Sequence, residues 1–260
     1  MIEFSALSSG SSGNCFWVRN SETNTAVLID AGISLKKATD RLTSINRSID
    51  EVKGVFITHE HSDHIAGADV MSRHLNIPIF ATKKTFEAVN FCDEKYQNFI
   101  KRDETTIIGG MTIESFKKNH GAADPVSYNV KKSDDNKKVS VITDVGSACE
   151  NIHNNINESD ILCIESNHDL QLLRSGKYPQ FLKDWIASDT GHLSNKQSAL
   201  AVLEHARKKL KKVVLSHLST NNNTPRDALE TYNELIKHRH DIKPIITVST
   251  RYEATKILKI

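Results

Sequence analysis

The chain has only four cysteines in 260 residues, Cys15, Cys92, Cys149 and Cys163, widely scattered and with no C-x-x-C pair. That spacing excludes a zinc ribbon. With no export signal in view, a disulfide framework is not expected either, and the cysteines read as small buried apolar residues. Long apolar runs are also missing, for none approaches the roughly 18 residues that a membrane span requires. The opening Met1-Ile2-Glu3-Phe4-Ser5-Ala6-Leu7 lacks the basic segment and apolar core of a secretory signal, so a cytoplasmic location without a membrane partner is expected. An excess of one charge is lacking as well. The 34 Lys and Arg against 32 Asp and Glu leave +2, too little to argue for a nucleic-acid partner unaided. The pairs Lys36-Lys37, Lys83-Lys84, Lys117-Lys118, Lys131-Lys132 and Lys137-Lys138, and the run Arg207 to Lys212, read as solvated turns or helix faces.

What the chain does have is histidine, twelve in all, with three packed into Thr58-His59-Glu60-His61-Ser62-Asp63-His64. The apolar run Val52 to Ile57 before them reads as a buried strand, and Ile65-Ala66-Gly67-Ala68 after them as the start of a helix reaching about Leu75. The cluster therefore stands where a strand gives way to a helix, a common place for a site in an α/β protein. A zinc-protease pattern is excluded, because the residue four after His59 is Asp63. His59 and His61 can turn toward one metal ion, and Asp63 and His64 toward a second. The remaining ligands should also follow strands. His120 follows Met111 to Lys118, Asp144 follows Val139 to Ile142, and His217 follows Val213 to Leu215. Five histidines and two aspartates suit zinc, manganese and iron alike.

Elsewhere, strands are expected at Phe4 to Ser8, Cys15 to Arg19 and Thr25 to Ile29, and a helix capped by Ser34 runs to about Ile45. Residues 105 to 142 are strand-rich. The second half alternates again, with strands at Ile161 to Ile164 and Val213 to Leu215. Its helices are expected near Leu170 to Arg174, Gln180 to Ala187, Ser194 to Leu210 and from Pro225 to about His238. Two halves of similar make-up and no linker predict a single domain over 1–260, a sheet-on-sheet core with helices outside.

The succession H-x-H-x-D-H, a lone His120, Thr143-Asp144-Val145-Gly146 and a late His217 resembles the metallo-β-lactamase superfamily. Ser9-Gly10-Ser11-Ser12-Gly13-Asn14, Glu165-Ser166-Asn167-His168-Asp169, Gly191-His192-Leu193-Ser194-Asn195 and Ser216-His217-Leu218-Ser219 resemble its YycJ/WalJ (VicX) branch. The resemblance implies an αββα sandwich of two mixed sheets. It implies one ion on His59, His61 and His120, a second on Asp63, His64 and His217, and Asp144 bridging them. It further implies a hydroxide held between the ions and oriented by Asp63, His192 as general acid, and Asp30 as a support of the metal loop that is not itself a ligand. His168 reads equally as a substrate contact or a support, and Glu165 could orient His192. Two departures stand out: Gly121 replaces an acidic residue, and Lys183-Asp184-Trp185-Ile186 stands where the branch is basic.

The activity implied is a two-metal phosphodiesterase, a 5′-to-3′ DNA exonuclease. The alternatives are an RNA-processing nuclease resembling RNase Z, a small-molecule hydrolase of a lactam, lactone or thioester, and a metal-binding protein without activity. The oligomeric state is not legible.

Overall fold

In the computed structural model, which describes residues 1–260, alternation along the strands decides the layering. Strands β1 (Ile2–Ser8), β2 (Cys15–Asn20) and β3 (Thr25–Ile29) form an antiparallel meander in which successive side chains point to opposite faces. Phe4, Phe16, Val18, Val27 and Ile29 join one apolar layer, while Leu7, Cys15, Trp17, Ala26 and Leu28 join another. Both faces are covered, which is why these strands read as continuous apolar runs. Burying each of the large side chains contributes roughly 1.5–3 kcal/mol.

β4 (Val52–Phe56), β5 (Ile79–Thr82) and β6 (Gln97–Ile100) extend this sheet in parallel. The second sheet begins with β7 (Thr105–Ile108), β8 (Met111–Lys117), β9 (Val126–Lys132) and β10 (Lys138–Ile142), all antiparallel. It continues in parallel with β11 (Ile161–Glu165), β12 (Lys212–Ser216) and β13 (Ile245–Val248). A short β14 (Leu258–Lys259) returns to the first sheet beside β1, so each sheet has seven strands.

Helices α1 (Leu35–Ser44), α2 (Ser62–Ile65), α3 (Ala68–Leu75) and α4 (Lys83–Ala88) send Ala38, Leu42, Ile65, Met71 and Phe86 onto the outer face of the first sheet. On the second sheet, α5 (Glu150–Glu158), α8 (Asn195–His205) and α9 (Pro225–Ile236) do the same through Ile152, Ile156, Val202 and Tyr232. Between the sheets lies the third apolar layer, into which Ile113, Tyr128, Val130, Val139, Val141, Cys163 and Val214 project. This is the expected αββα sandwich. Two short helices, α6 (Leu170–Ser175) and α7 (Gln180–Ile186), contribute to none of the three layers. No helix is long and apolar enough to cross a membrane.

Several expectations need correction. The helix expected from the histidine cluster to Leu75 is broken at Ala66-Gly67. There the chain crosses the 31–33 loop so closely that a Cβ on Gly67 would lie 2.0 Å from the Ile33 carbonyl. The helix expected to reach Leu210 stops at His205, and the Arg239 guanidinium takes the carbonyls of Leu203 and Ala206. Lys118 and Lys138, expected in solvated pairs, are only 1% and 2% exposed. Lys118 Nζ donates to the Thr143 carbonyl (2.7 Å), and Lys138 Nζ to Asn155 and Glu158 (2.6 and 2.9 Å). The four cysteines are unpaired, and three of them are buried.

Candidate metal centre

Three loops of the first sheet interlock to shape the histidine cluster. Asp30, at the end of β3, accepts from the Thr58 amide (2.8 Å) and hydroxyl (3.0 Å), which fixes the turn out of β4. The Asn14 amide donates to the Asp63 carbonyl and the Gly32 amide to the Asn14 carbonyl, both at 2.8 Å. A Cβ on Gly32 would stand 1.7 Å from that Asp63 carbonyl, so only glycine lets the loops approach this closely. From the second sheet, His120, Asp144 and His217 arrive just past the ends of β8, β10 and β12. The sheets are tied beside the cluster by Tyr128 Oη donating to the Ile57 carbonyl (2.8 Å) and the Val126 amide donating to the Thr58 carbonyl (3.0 Å).

The expected ligand residues converge. Donor atoms of His59, His61 and His120 lie within 4.8 Å of one another, as do those of Asp63, His64 and His217, and those of His59, His64 and Asp144. His59 Nε2 faces His61 Nδ1 at 3.0 Å, and His120 Nε2 faces the same Nδ1 at 3.4 Å. Asp144 approaches His64, His217 and His120 at 3.2, 3.5 and 3.8 Å, so it lies between the two trios.

The opposite edge of four of the five rings is held, His61 being the exception. His64 Nδ1 meets Asp30 Oδ2 at 2.7 Å, His217 Nδ1 meets Glu165 Oε1 at 2.7 Å, His120 Nδ1 meets the Gly191 carbonyl at 3.1 Å, and His59 Nδ1 meets Thr58 Oγ1 at 2.9 Å. A carboxylate or carbonyl behind a histidine is the arrangement that aims its other nitrogen at a metal. Asp144 Oδ2 and His217 Nε2 are buried and have no hydrogen-bond partner, a costly state that a cation would relieve. Divalent metal ions fit this donor set.

Electrostatics agree with that fit. Burial opposes a proton on His64, but Asp144, Asp30 and Asp63 outweigh it and lift its pKa well above the usual imidazole range. His217 is likewise disfavoured by burial yet raised to about 10 by Asp144, Asp63 and Glu165. Burial would raise Asp63 and Asp144, but the neighbouring imidazoliums hold both below the usual carboxylate range. His120 is pushed down to about 3, mainly by burial, and His59 falls well below its ordinary value through burial and the charges of His64 and Lys118. The pocket thus draws in positive charge on one side and keeps neutral imidazole lone pairs on the other.

His192 Nδ1 contacts Glu165 Oε1 at 2.9 Å, and its ring is 12% exposed at the edge of the cluster. Glu165 also accepts from the amides of Val145 (2.8 Å) and Leu193 (3.1 Å). Its oxygens therefore hold other groups, although its position beside Asp144, His192 and His217 would allow a ligand role. Burial would raise Glu165, but His192 and His217 bring it to about 2. His168 is closed off from solvent, which argues against a substrate contact, and neither ring nitrogen is bonded, so no hydrogen bond links it to a ligand residue. Sequence reasoning missed two residues. Asn14 Nδ2 lies 3.1 Å from both Asp63 Oδ2 and His64 Nε2, and Lys118 is a buried cation behind Asp144. Only the Ser/Gly loop ending in Asn14 carried any sequence signal of this.

A family pattern described as "Beta-lactamase superfamily domain" matches residues 25–218. The exodeoxyribonuclease WalJ of Streptococcus pneumoniae serotype 2 is 38% identical over 228 residues, covering 85% of this chain and 83% of that protein. The exodeoxyribonuclease YycJ of Bacillus anthracis is 32% identical over 267 aligned residues, covering 96% and 99%. Among solved structures, the metallo-beta-lactamase fold protein YhfI of Bacillus subtilis superposes with a TM-score of 0.72 at 13% identity, covering 98% of each chain.

Proposed function

This chain belongs to the beta-lactamase superfamily, and from that membership we propose that it is a metal-dependent phosphodiesterase that degrades DNA from its ends, 5′ to 3′. The observation that carries the reading is the pair of ligand trios sharing Asp144, with the Glu165–His192 couple at their edge. The relatives named as exodeoxyribonucleases support DNA as the polymer, and a cytoplasmic location is the one that substrate suits. We read residues 1–260 as one domain, because both sheets supply ligands to one site.

His59, His61 and His120 would hold one ion, and Asp63, His64 and His217 a second, with Asp144 between them; zinc, manganese and iron all suit these donors. Two divalent ions bound there would activate water near neutral pH and neutralise charge building on the phosphate. Asp63 Oδ2, 3.1 Å from Asn14 Nδ2 and 3.4 and 3.5 Å from His64 and His217 Nε2, is the oxygen that would join those two histidines in holding an ion, which leaves Oδ1 to orient the attacking water. The leaving sugar oxygen departs as a poor leaving group and needs a proton. Glu165, a carboxylate at neutral pH, accepts a hydrogen bond from His192 Nδ1–H and fixes the ring, so a protonated His192 can deliver its Nε2 proton to that oxygen.

The test uses purified protein with manganese or zinc and DNA labelled at either end. Label at the 5′ end should be released first, and an Asp144→Ala variant should release none. No metal-dependent digestion of any DNA sinks the proposal. Faster cutting of precursor tRNA than of DNA would move the reading to RNA. Turnover of a chromogenic cephalosporin with DNA left intact would move it to small molecules.

A further inference from the structure

Helix α7 carries two aromatic side chains that the core does not use. Phe181 is 75% exposed and Trp185 is 39% exposed. Four residues apart on a helix, they share a face and are separated by roughly 6 Å along the axis. The Trp185 ring lies 5.5 Å from that of His192 and 6.3 Å from that of His120, centroid to centroid. The segment is fastened to the site's frame: the His192 amide donates to Ile186 (2.8 Å), the Gly121 amide to Thr190 (2.9 Å), and His120 Nδ1 meets Gly191 (3.1 Å). Gly121 also leaves the Trp185 edge uncovered, since a Cβ there would stand only 3.7 Å from Trp185 Nε1. Across 169–189 Arg174, Lys177 and Lys183 are balanced by Asp169, Asp184 and Asp189; Asp169 caps α6, Asp184 accepts from Gln180 at 2.7 Å, and Lys183 Nζ donates to the Arg174 carbonyl at 2.8 Å.

Exposed rings on a helix fastened beside a phosphodiesterase centre match the chemistry of unpaired nucleobases. We propose that α6 and α7 form a stacking platform for the DNA strand next to the scissile bond. Trp185 and Phe181 each pack under a base, and Arg174 and Lys177 face the backbone. The inference rests on the nuclease reading and adds how the strand is gripped. Every base has a π face, so the platform imposes little sequence preference and requires the terminal bases to be unpaired.

The protein has two tryptophans, and Trp17 is fully buried, so quenching by a nuclease-resistant phosphorothioate oligonucleotide reads Trp185. Quenching is expected with the metal-loaded protein. Trp185→Ala and Phe181→Ala should each raise KM for single-stranded DNA roughly tenfold, with a smaller change in kcat, and Trp185→Phe should restore most of the loss. Removing one base from the substrate should cost as much as Trp185→Ala, and the two losses should not add. Phe181→Ala guards against a disturbed centre, since that side chain is mostly in solvent. Unchanged KM in both variants, or fully additive losses, overturns the platform while the nuclease reading stands. Wild-type protein that hydrolyses bis(p-nitrophenyl) phosphate but digests no DNA overturns the nuclease reading itself, before any variant is made.

Discussion

Glu165 is a buried carboxylate that accepts four hydrogen bonds, two from imidazoles and two from backbone amides. Replacing one oxygen by an amide turns an acceptor into a donor facing other donors, so Glu165→Gln should loosen both His192 and His217. Metal affinity is expected to fall about 10–100-fold, read by competition with a chelator dye. His192→Ala should behave differently. Its loss removes a proton donor, so DNA hydrolysis should fall about 10²–10⁴-fold. Hydrolysis of bis(p-nitrophenyl) phosphate, whose leaving group needs no proton, should fall far less. Equal losses on the two substrates would remove His192 from the acid role. Three residues of the cluster also sit in the left-handed region: Asp30 (φ 62°), Asp144 (φ 54°) and His217 (φ 55°). That conformation is uncommon outside glycine, although Asn, Asp and His adopt it more readily than other residues, and His217 is kept in it by its amide donating to Ser9 Oγ at 2.7 Å.

At the level of elements, the loop from His192 to Asn195 is set by the start of α8. Ser194 Oγ accepts from the Gln197 amide, and Gln197 Oε1 accepts from the Ser194 amide, a reciprocal cap. Ser194→Ala should cost about 1 kcal/mol and lower the melting temperature by a few degrees. It should slow turnover while metal content is kept, because His192 is displaced and the ligands are not. Metal loss in this variant would contradict that division. Much of this architecture is legible in the sequence, because buried strands such as β3, β10 and β12 are short apolar runs and the ligands follow them directly. β6 and β13 were not legible. Both lie at sheet edges and are half exposed; β6 carries neither an apolar run nor a strict alternation, and β13 is a β-branched run of only four residues, Ile245-Ile246-Thr247-Val248. β14 has only two residues. Helix α5 went unread among the polar residues 150–158, where only Ile152 and Ile156 mark its buried face. The burial of Lys118 is hidden from the sequence for a related reason. Its partner is a backbone carbonyl, that of Thr143, and no residue pattern announces one.

For the whole molecule, metal uptake should be coupled to protons. In the metal-free chain the proton on His217, with its pKa raised to about 10, stabilises the fold fully below the ordinary imidazole value and is lost as pH rises through about 10. His64 is shifted in the same direction. An ion must displace those protons, so binding should release them and tighten as pH rises from 6 to 9. Calorimetry in buffers of different ionisation enthalpy reads the release. At a metal concentration a hundred times the Kd, the loaded protein should melt roughly 5–10 °C above the stripped one. That gap should widen with pH; a gap that narrows would contradict the sign.

The seven candidate ligand residues are divided four to three between the loops of two sheets. Ions bound among them would work as a clasp on two leaves of one molecule. A cell short of metal would then contain chains whose leaves part more often, and proteases cut opened chains. The lifetime of the protein would follow the metal supply with no regulator sensing either one, and an enzyme destructive to DNA would be cleared soonest when it is idle.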